Sequence, residues 1–140
     1  QHGIVAALSD AATGVMFEAA PNQLTVFTPS FSYGAINTDV LVNGAGASHG
    51  FTAAIAADNY TGGGYTDWYL PAYAELKLLF QASIYLDVAG ASLASGGKYW
   101  SSTEDPLAAG FNAYYCGGAS NFFVTTSQAV TANVRPIRVF

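Results

Sequence analysis

Charged side chains are scarce in this chain of 140 residues. Asp, Glu, Lys and Arg together make up 9% of it, against about a quarter in an average soluble protein. Hydrophobic residues make up 51%, whereas disorder requires low hydrophobicity together with a high net charge. The composition therefore predicts a folded chain with a surface of small polar residues and Tyr. Such a surface suits extracellular proteins and proteins that pack against copies of themselves.

The chain has fewer cationic than anionic side chains. Only Lys77, Lys98, Arg135 and Arg138 stand against nine acidic residues, which gives a net charge of −5. A face that binds phosphates needs several clustered cations, so the composition argues against nucleic acid and against anionic membrane surfaces as partners. No apolar run approaches the roughly twenty residues that span a bilayer, so we expect no membrane insertion.

The sequence also lacks the residue patterns of catalytic and metal sites. Cys116 is the only cysteine, so no disulfide forms within the chain, although one to another chain remains open. His2, His49 and Cys116 do not have the spacing of zinc ligands. Cys116 and His49 would make a nucleophile and a base only if the fold joined them, and a buried structural cysteine is the simpler interpretation. We therefore expect no enzyme, no metal and no cofactor.

Two helices are predicted from apolar residues spaced three and four apart. The first runs from about His49 to Asn59, with Ser48 as its N-cap and the glycines at 62–64 ending the segment. The second follows Pro71, and the residues on its apolar face are Tyr73, Leu76, Leu79 and Phe80.

Strands account for most of the remaining regular structure. The N-terminal segment 3–8 reads as a short buried strand, and segments 99–100, 111–116, 122–126 and 134–140 have strand character. We interpret residues 15–33 as loop with one or two short strands. The chain therefore reads as one α+β domain, 1–140, in which two helices pack on a small, mostly antiparallel sheet with long loops.

Three ordered blocks carry a resemblance to a known family. They are the segment 64–71 (Gly-Tyr-Thr-Asp-Trp-Tyr-Leu-Pro) followed by Glu75-Leu76, the segment 99–104 (Tyr-Trp-Ser-Ser-Thr-Glu), and the closing segment 134–140 (Val-Arg-Pro-Ile-Arg-Val-Phe). Together they resemble the Lcl C-terminal-domain family. These bacterial domains have a C-type-lectin-like fold and are distantly related to the formylglycine-generating enzymes. The resemblance implies structural roles for eight residues: Asp67, Trp68, Leu70, Pro71, Glu75, Trp100, Arg135 and Arg138.

The blocks also have physical interpretations of their own. Pro71 suits the first turn of a helix, and Ala72 stands where the family usually has a capping Ser, so only the Glu75 half of a capping box survives. A buried Arg needs a carboxylate partner. For Arg135 and Arg138 the candidate partners are Asp67, Glu75 and Glu104.

The resemblance also concerns the edge of the sheet. Family members usually carry a hydrophobic strand just before the position of His2, and that strand pairs with the C-terminal one. Because this chain begins after that position, we expect the edge of segment 134–140 to be open. We expect a neighbouring chain, or a part of the polypeptide absent here, to cover it.

A candidate ligand face follows from aromatic and amide residues near the start of the last quarter of the chain. Its members are Asn112, Tyr114, Tyr115, Asn121 and Phe123, together with Glu104 and Asp105. Rings beside amides suit sugars and protein interfaces alike, and core packing is the alternative for any single ring. The acidic pair reads as a turn feature rather than as a general acid and base.

Two functions remain open at this point. The family resemblance favours a non-enzymatic bacterial extracellular module for binding or adhesion, which would recognise a surface glycan or a host protein. Calcium-dependent sugar binding is not expected, since the Glu-Pro-Asn, Gln-Pro-Asp and Trp-Asn-Asp motifs are absent. The low charge, the expected open edge and the lone cysteine favour the alternative, a structural subunit that assembles with copies of itself into a surface appendage, filament or virion component.

Overall fold

A computed structural model describes residues 3–20, 28, 30–105, 107, 112–117 and 122–140; for residues 112–117 and 122–124 it describes the backbone alone. Along these ranges two strands come first, the helices follow, and five strands end the chain. The elements are β1 (Ile4–Ala6), β2 (Ala12–Val15), α1 (Gly34–Val42), α2 (Thr52–Asp58), a 3-10 turn (Gly62–Gly64), α3 (Tyr73–Gln81), α4 (Ser83–Val88), β3 (Lys98–Glu104), β4 (Asn112–Gly117), β5 (Phe122–Ser127), β6 (Ala132–Val134) and β7 (Ile137–Val139).

The strands form two small sheets. The larger has the order β2-β6-β3-β4-β5, and the smaller pairs β1 with β7. All pairings are antiparallel except that of β3 with β6. The predicted mixed α+β class is confirmed. The described residues hold four α-helices, so the prediction of two helices is wrong.

The sequence prediction missed α4, which directly follows α3, and α1, which has an inward face that is largely polar. Asn37, Thr38 and Leu41 are buried on it. Thr38 Oγ1 accepts a hydrogen bond from the Leu70 N–H at 3.0 Å, and the Asn37 amide donates to the Ser30 carbonyl at 2.8 Å. Apolar periodicity cannot detect a helix that packs through side-chain hydrogen bonds to remote backbone groups.

Both predicted helices are present, and the start of the helix was predicted more accurately for α3 than for α2. Helix α3 buries Leu76 and Leu79 as expected, and Glu75 Oε2 accepts a hydrogen bond from the Ala72 N–H at 2.8 Å, so the surviving half of the capping box is confirmed. Helix α2 begins later than predicted, with Phe51 rather than Ser48 at its N-cap. The residues before it form turns that are closed by the bond from the His49 N–H to the Gly46 carbonyl.

The C-terminal segment is two strands rather than the single strand predicted. Pro136 carries no N–H to donate to a ladder, and the break at Arg135-Pro136 separates β6 in the large sheet from β7 in the small one.

The expectation of an open edge at the C-terminus is wrong for β7, because both of its sides are paired within the chain. Strand β1 pairs along one side, with Val5 opposite Arg138, and Tyr69 exchanges two backbone hydrogen bonds with Ile137 on the other. Strand β1 is therefore the edge strand. It is also not the buried strand predicted, since Ile4 is 45% exposed.

The three motif blocks lie together in space. The Ser102 N–H donates to the Pro71 carbonyl at 2.8 Å, and the bridge between Tyr69 and Ile137 joins the first block to the tail. Leu70 and Trp100 are fully buried in one apolar cluster, with Phe17 and Phe51. The blocks thus act as one scaffold.

Arg135 is the most extensively bonded cation of the described residues. Its side chain is buried, and its Nε donates to Asp10 Oδ1 at 2.6 Å. Its remaining bonds go to the backbone carbonyls of Ala7, Ala91 and Ser92. The expected partners Asp67, Glu75 and Glu104 are therefore wrong for this residue, since a carboxylate from the N-terminal segment supplies the charge.

We expect Arg135→Ala to lower the free energy of unfolding by about 3–5 kcal/mol, because it leaves the Asp10 carboxylate without its cation and three carbonyls without a donor. Urea denaturation measures the change. Arg138→Ala is the matched control in the same tail, and its loss should be far smaller because water and salt screen an exposed ion pair. Equal losses in the two variants would contradict the assignment.

Candidate functional site

The predicted ligand face lies largely outside the part of the chain that the structure describes in full. Asn112, Tyr114 and Tyr115 belong to β4, and Phe123 belongs to β5, where it pairs in register with Cys116. Their side chains are outside the described residues, as is Asn121. The hypothesis of a ligand face there remains a prediction.

The acidic pair of that prediction lies in the interior. Glu104 is fully buried, and its Oε2 accepts hydrogen bonds from the N–H and the hydroxyl of Thr28 at 3.0 and 3.1 Å. Gln128 Nε2 donates to its Oε1 at 3.2 Å. Asp105 is also buried, and accepts from the Leu107 N–H. The prediction that both carboxylates belong to a ligand face is wrong, because both are buried. Glu104 holds remote segments against β3, whereas the bond from the Leu107 N–H to Asp105 is a local turn feature, as the sequence suggested.

A third buried carboxylate was not predicted from the sequence. Glu18 is fully buried, and its Oε1 lies 3.1 Å from His49 Nδ1. Among the described residues, neither its Oε2 nor the buried Oε1 of Gln128 has a hydrogen-bond partner. Burial raises the pKa of Glu18, while the contact with His49 partly offsets the rise. His49 is thus engaged with Glu18, and the side chain of Cys116 lies outside the described residues.

An aromatic cleft opens beside the small sheet. Tyr60, Tyr65 and Trp68 supply its rings, and Arg138 supplies its charge. Gly62 and Gly63, and the β1 side of the molecule with Val5, Ala6 and Leu8, complete the wall. Its volume is about 200 Å³.

The glycine turn at residues 62–64 makes the cleft possible. Gly63 and Gly64 have positive φ angles of 70° and 79°, a conformation that residues with a Cβ resist. At Gly62 an added Cβ would collide with the Tyr60 ring. The chain can therefore reverse tightly between Tyr60 and Tyr65 and place both rings on the same cleft.

Trp68 forms the floor of the cleft. It is 6% exposed, and its indole N–H donates to the Gly62 carbonyl at 3.1 Å. The Tyr60 ring packs edge-on against it, with centroids 5.3 Å apart. The Tyr60 hydroxyl lies 3.1 Å from the Ser9 hydroxyl. These contacts fix two rings before any ligand arrives.

Arg138 forms the rim with Asp67 and Tyr65. Its Nε and Nη2 donate to the two carboxylate oxygens of Asp67 at 2.7 and 2.8 Å, a planar two-point pair. Its guanidinium lies 3.9 Å from the centroid of the Tyr65 ring. The hydrogen bond to Arg138 lowers the pKa of Asp67, so the carboxylate is ionised. The sequence prediction that Asp67 is an arginine partner is therefore confirmed for Arg138.

The rim keeps hydrogen-bonding capacity for a ligand. A guanidinium has five N–H donors, and among the described residues Arg138 donates only to Asp67, through Nε and Nη2. The Asp67 side chain is 55% exposed, and Tyr65 is 51% exposed. The cleft thus offers ring faces, free guanidinium donors and carboxylate acceptors within one small concavity.

A comparison with protein-family models finds no match to this chain, and a comparison with curated proteins finds none either. Within the described ranges, no three His, Cys, Asp or Glu side chains are gathered as a metal site would require. No helix among the described residues has both the length and the apolarity to cross a membrane.

The raised pKa of Glu18 leads to a prediction about pH. The folded chain holds this proton more tightly than the unfolded chain, where the ordinary value is 4.5. Its contribution to stability is therefore complete below that value and declines as the pH rises through the folded pKa. Glu18→Gln, which cannot ionise, should become more stable relative to wild type as the pH rises from about 4 to about 7.

Urea denaturation of both proteins across that pH range measures the effect. Asp87→Asn is the control, since it removes an exposed carboxylate of α4. A constant difference between wild type and Glu18→Gln at all pH values would show that Glu18 ionises equally in both states.

Proposed function

We propose that this protein is a bacterial extracellular binding module of the C-type-lectin-like type, without catalytic activity, and that its aromatic cleft holds one ring of a surface glycan. The observation that carries the proposal is the cleft itself, in which Tyr60, Tyr65 and Trp68 meet the Arg138–Asp67 pair.

The chemistry of the cleft matches that of a sugar. A pyranose has an apolar face of C–H groups and a periphery of hydroxyls. Aromatic rings pack against the apolar face, and a carboxylate beside a guanidinium binds the hydroxyls through charge-assisted hydrogen bonds. The volume of about 200 Å³ is below the roughly 300–1,000 Å³ of sites that enclose drug-sized ligands, so the cleft takes a single ring of a longer chain.

The charge of the cleft selects among sugars. Arg138 is neutralised by Asp67, and the protein carries a net charge of −5. A polyanion such as a glycosaminoglycan would meet repulsion without a cluster of cations to oppose it. A neutral glycan is therefore the ligand that we propose.

The fold class and the resemblance to the Lcl C-terminal-domain family support the same function. A mixed α+β chain with small sheets and long connections agrees with a lectin-type scaffold. The residues Asp67, Trp68 and Arg138, which the resemblance assigned to structure, here line or border the cleft.

A glycan array probed with the labelled chain tests the proposal, followed by titration of the best neutral glycan. We expect Tyr65→Ala to weaken binding about threefold to tenfold, since the loss of one stacking ring typically costs about 0.5–1.5 kcal/mol. Asp67→Asn should also weaken binding, because it removes the charge from the carboxylate acceptors.

Tyr85→Ala is the matched control, since Tyr85 is an exposed tyrosine of α4 that does not line the cleft. Its affinity should equal that of wild type. If no neutral glycan binds, or if Tyr65→Ala binds as wild type does, the aromatic cleft is not a sugar site.

A structural subunit is the second candidate function. Helix α4 exposes Ile84, Tyr85 and Val88, and the neighbouring α3 exposes Leu78. Exposed apolar residues that cluster on one side of a protein are typical of surfaces that contact another chain. Negative-stain microscopy of the purified chain would reveal ordered polymers if this function is correct.

A further inference from the structure

The outer edge of β1 has unsatisfied backbone groups. Gly3 exchanges two hydrogen bonds with Phe140, so by antiparallel alternation Val5 also faces β7, whereas Ile4 and Ala6 direct their N–H and C=O groups away from it. Among the strands that the structure describes, β7 is the only neighbour of β1. The described residues supply no partner for these groups of Ile4 and Ala6.

An apolar cleft lies beside this edge. The side of β1 that carries Ile4 and Ala6 faces α3 and α4 across it, and Leu78, Leu79, Ala82 and Leu86 line the helical wall. Its volume is about 440 Å³. Glu75 is the one charged residue in its lining, and its carboxylate is occupied by bonds from Tyr69, Ala72 and Gly34. The cleft therefore presents apolar surface without a free charge.

The edge carries none of the features that usually protect an exposed strand. Natural edge strands avoid pairing by means of Lys, Pro, bulges or inward-pointing charges. Segment 3–8 is Gly-Ile-Val-Ala-Ala-Leu, which holds no charge and no Pro, and its register with β7 runs without a bulge. An unprotected edge next to an apolar cleft is a site for another strand.

We propose that β1 pairs antiparallel with the β1 of a second copy of this chain, about a two-fold axis at Val5. Ile4 then lies opposite the partner's Ala6 and exchanges both backbone hydrogen bonds with it. The two small sheets become one four-stranded sheet in the order β7-β1-β1-β7. The apolar clefts of the two copies meet on one face of this sheet.

A second copy fits this surface better than a lone peptide strand does. The apolar surface extends beyond the edge to Leu78 on α3, which is 54% exposed, and to Phe140, which packs beside Gly3. A single strand would leave these residues exposed, whereas a two-fold partner brings an equal apolar surface to cover them. The sequence of β1 also allows it to pair with a second β1, because two antiparallel copies place only uncharged residues opposite one another.

Sedimentation velocity over a wide range of protein concentration tests the pairing. Wild type should show a monomer–dimer equilibrium. Ile4→Lys places a charge at the junction and should raise the dimer dissociation constant at least about tenfold. Leu107→Lys is the matched control, an equal substitution at a residue that is 95% exposed, and it should dimerise as wild type does.

A cysteine variant tests the register. In a non-hydrogen-bonded antiparallel pair the Cα atoms are about 4.5 Å apart, within the roughly 4.4–6.8 Å that a disulfide spans. With Cys116 replaced by Ser, Val5→Cys should therefore form a disulfide-linked dimer on mild oxidation. Leu107→Cys in the same background should not. Circular dichroism of each variant verifies that it is folded.

The outcomes separate this pairing from sugar binding. A wild-type chain that stays monomeric at every concentration overturns the pairing, and so does a dimer that tolerates Ile4→Lys and gives no Val5→Cys link. Glycan titration of the Ile4→Lys monomer should still show binding at the aromatic cleft. Loss of sugar binding through Tyr65→Ala should in turn leave the dimer intact.

Discussion

The buried guanidinium of Arg135 joins parts of the chain that are remote in sequence. Its Nε bonds to Asp10, and its Nη1 bonds to the carbonyls of Ala7 and Ala91, so it ties the N-terminal segment and the residues after α4 to the C-terminal tail. It also occupies the break between β6 and β7. Because that point is fixed, β7 can leave the large sheet, pair with β1 and present Arg138 to Asp67. The aromatic cleft and the open edge of β1 both depend on this arrangement.

The sequence predicts the elements that pack through apolar side chains. Helix α3, with Leu76 and Leu79 inside, and the strand holding Trp100 follow from local periodicity and from the motif blocks. Helix α1 does not, because Asn37 and Thr38 face inward and bond to residues that lie far away in sequence. Local sequence patterns reveal apolar faces. They do not reveal polar residues whose burial is made favourable by hydrogen-bond partners far away in sequence.

The candidate site was predicted only in part for the same reason. Charge pairing suggests Asp67 as an arginine partner, and the structure shows that Arg138 is the arginine. The sequence gives no sign that the glycine turn brings Tyr60 and Tyr65 together, since that depends on backbone geometry. Glu104 illustrates the opposite error, because an acidic residue before Asp-Pro reads locally as exposed, yet donors from remote segments bury it.

The two proposed sites lie on either side of β1 and share Ala6 in their linings, and this proximity connects the two candidate functions. Val5 borders the aromatic cleft, whereas Ile4 borders the apolar one. A two-fold axis perpendicular to the joined sheet leaves the same face of β1 on the same side of the sheet in both copies. Pairing through β1 would therefore place both aromatic clefts on the same side. A single small cleft binds one sugar ring weakly, but two clefts held in fixed geometry bind a repeating polymer with much greater strength. In our two proposals together, self-association would be the means by which a weak sugar site becomes an adhesive surface.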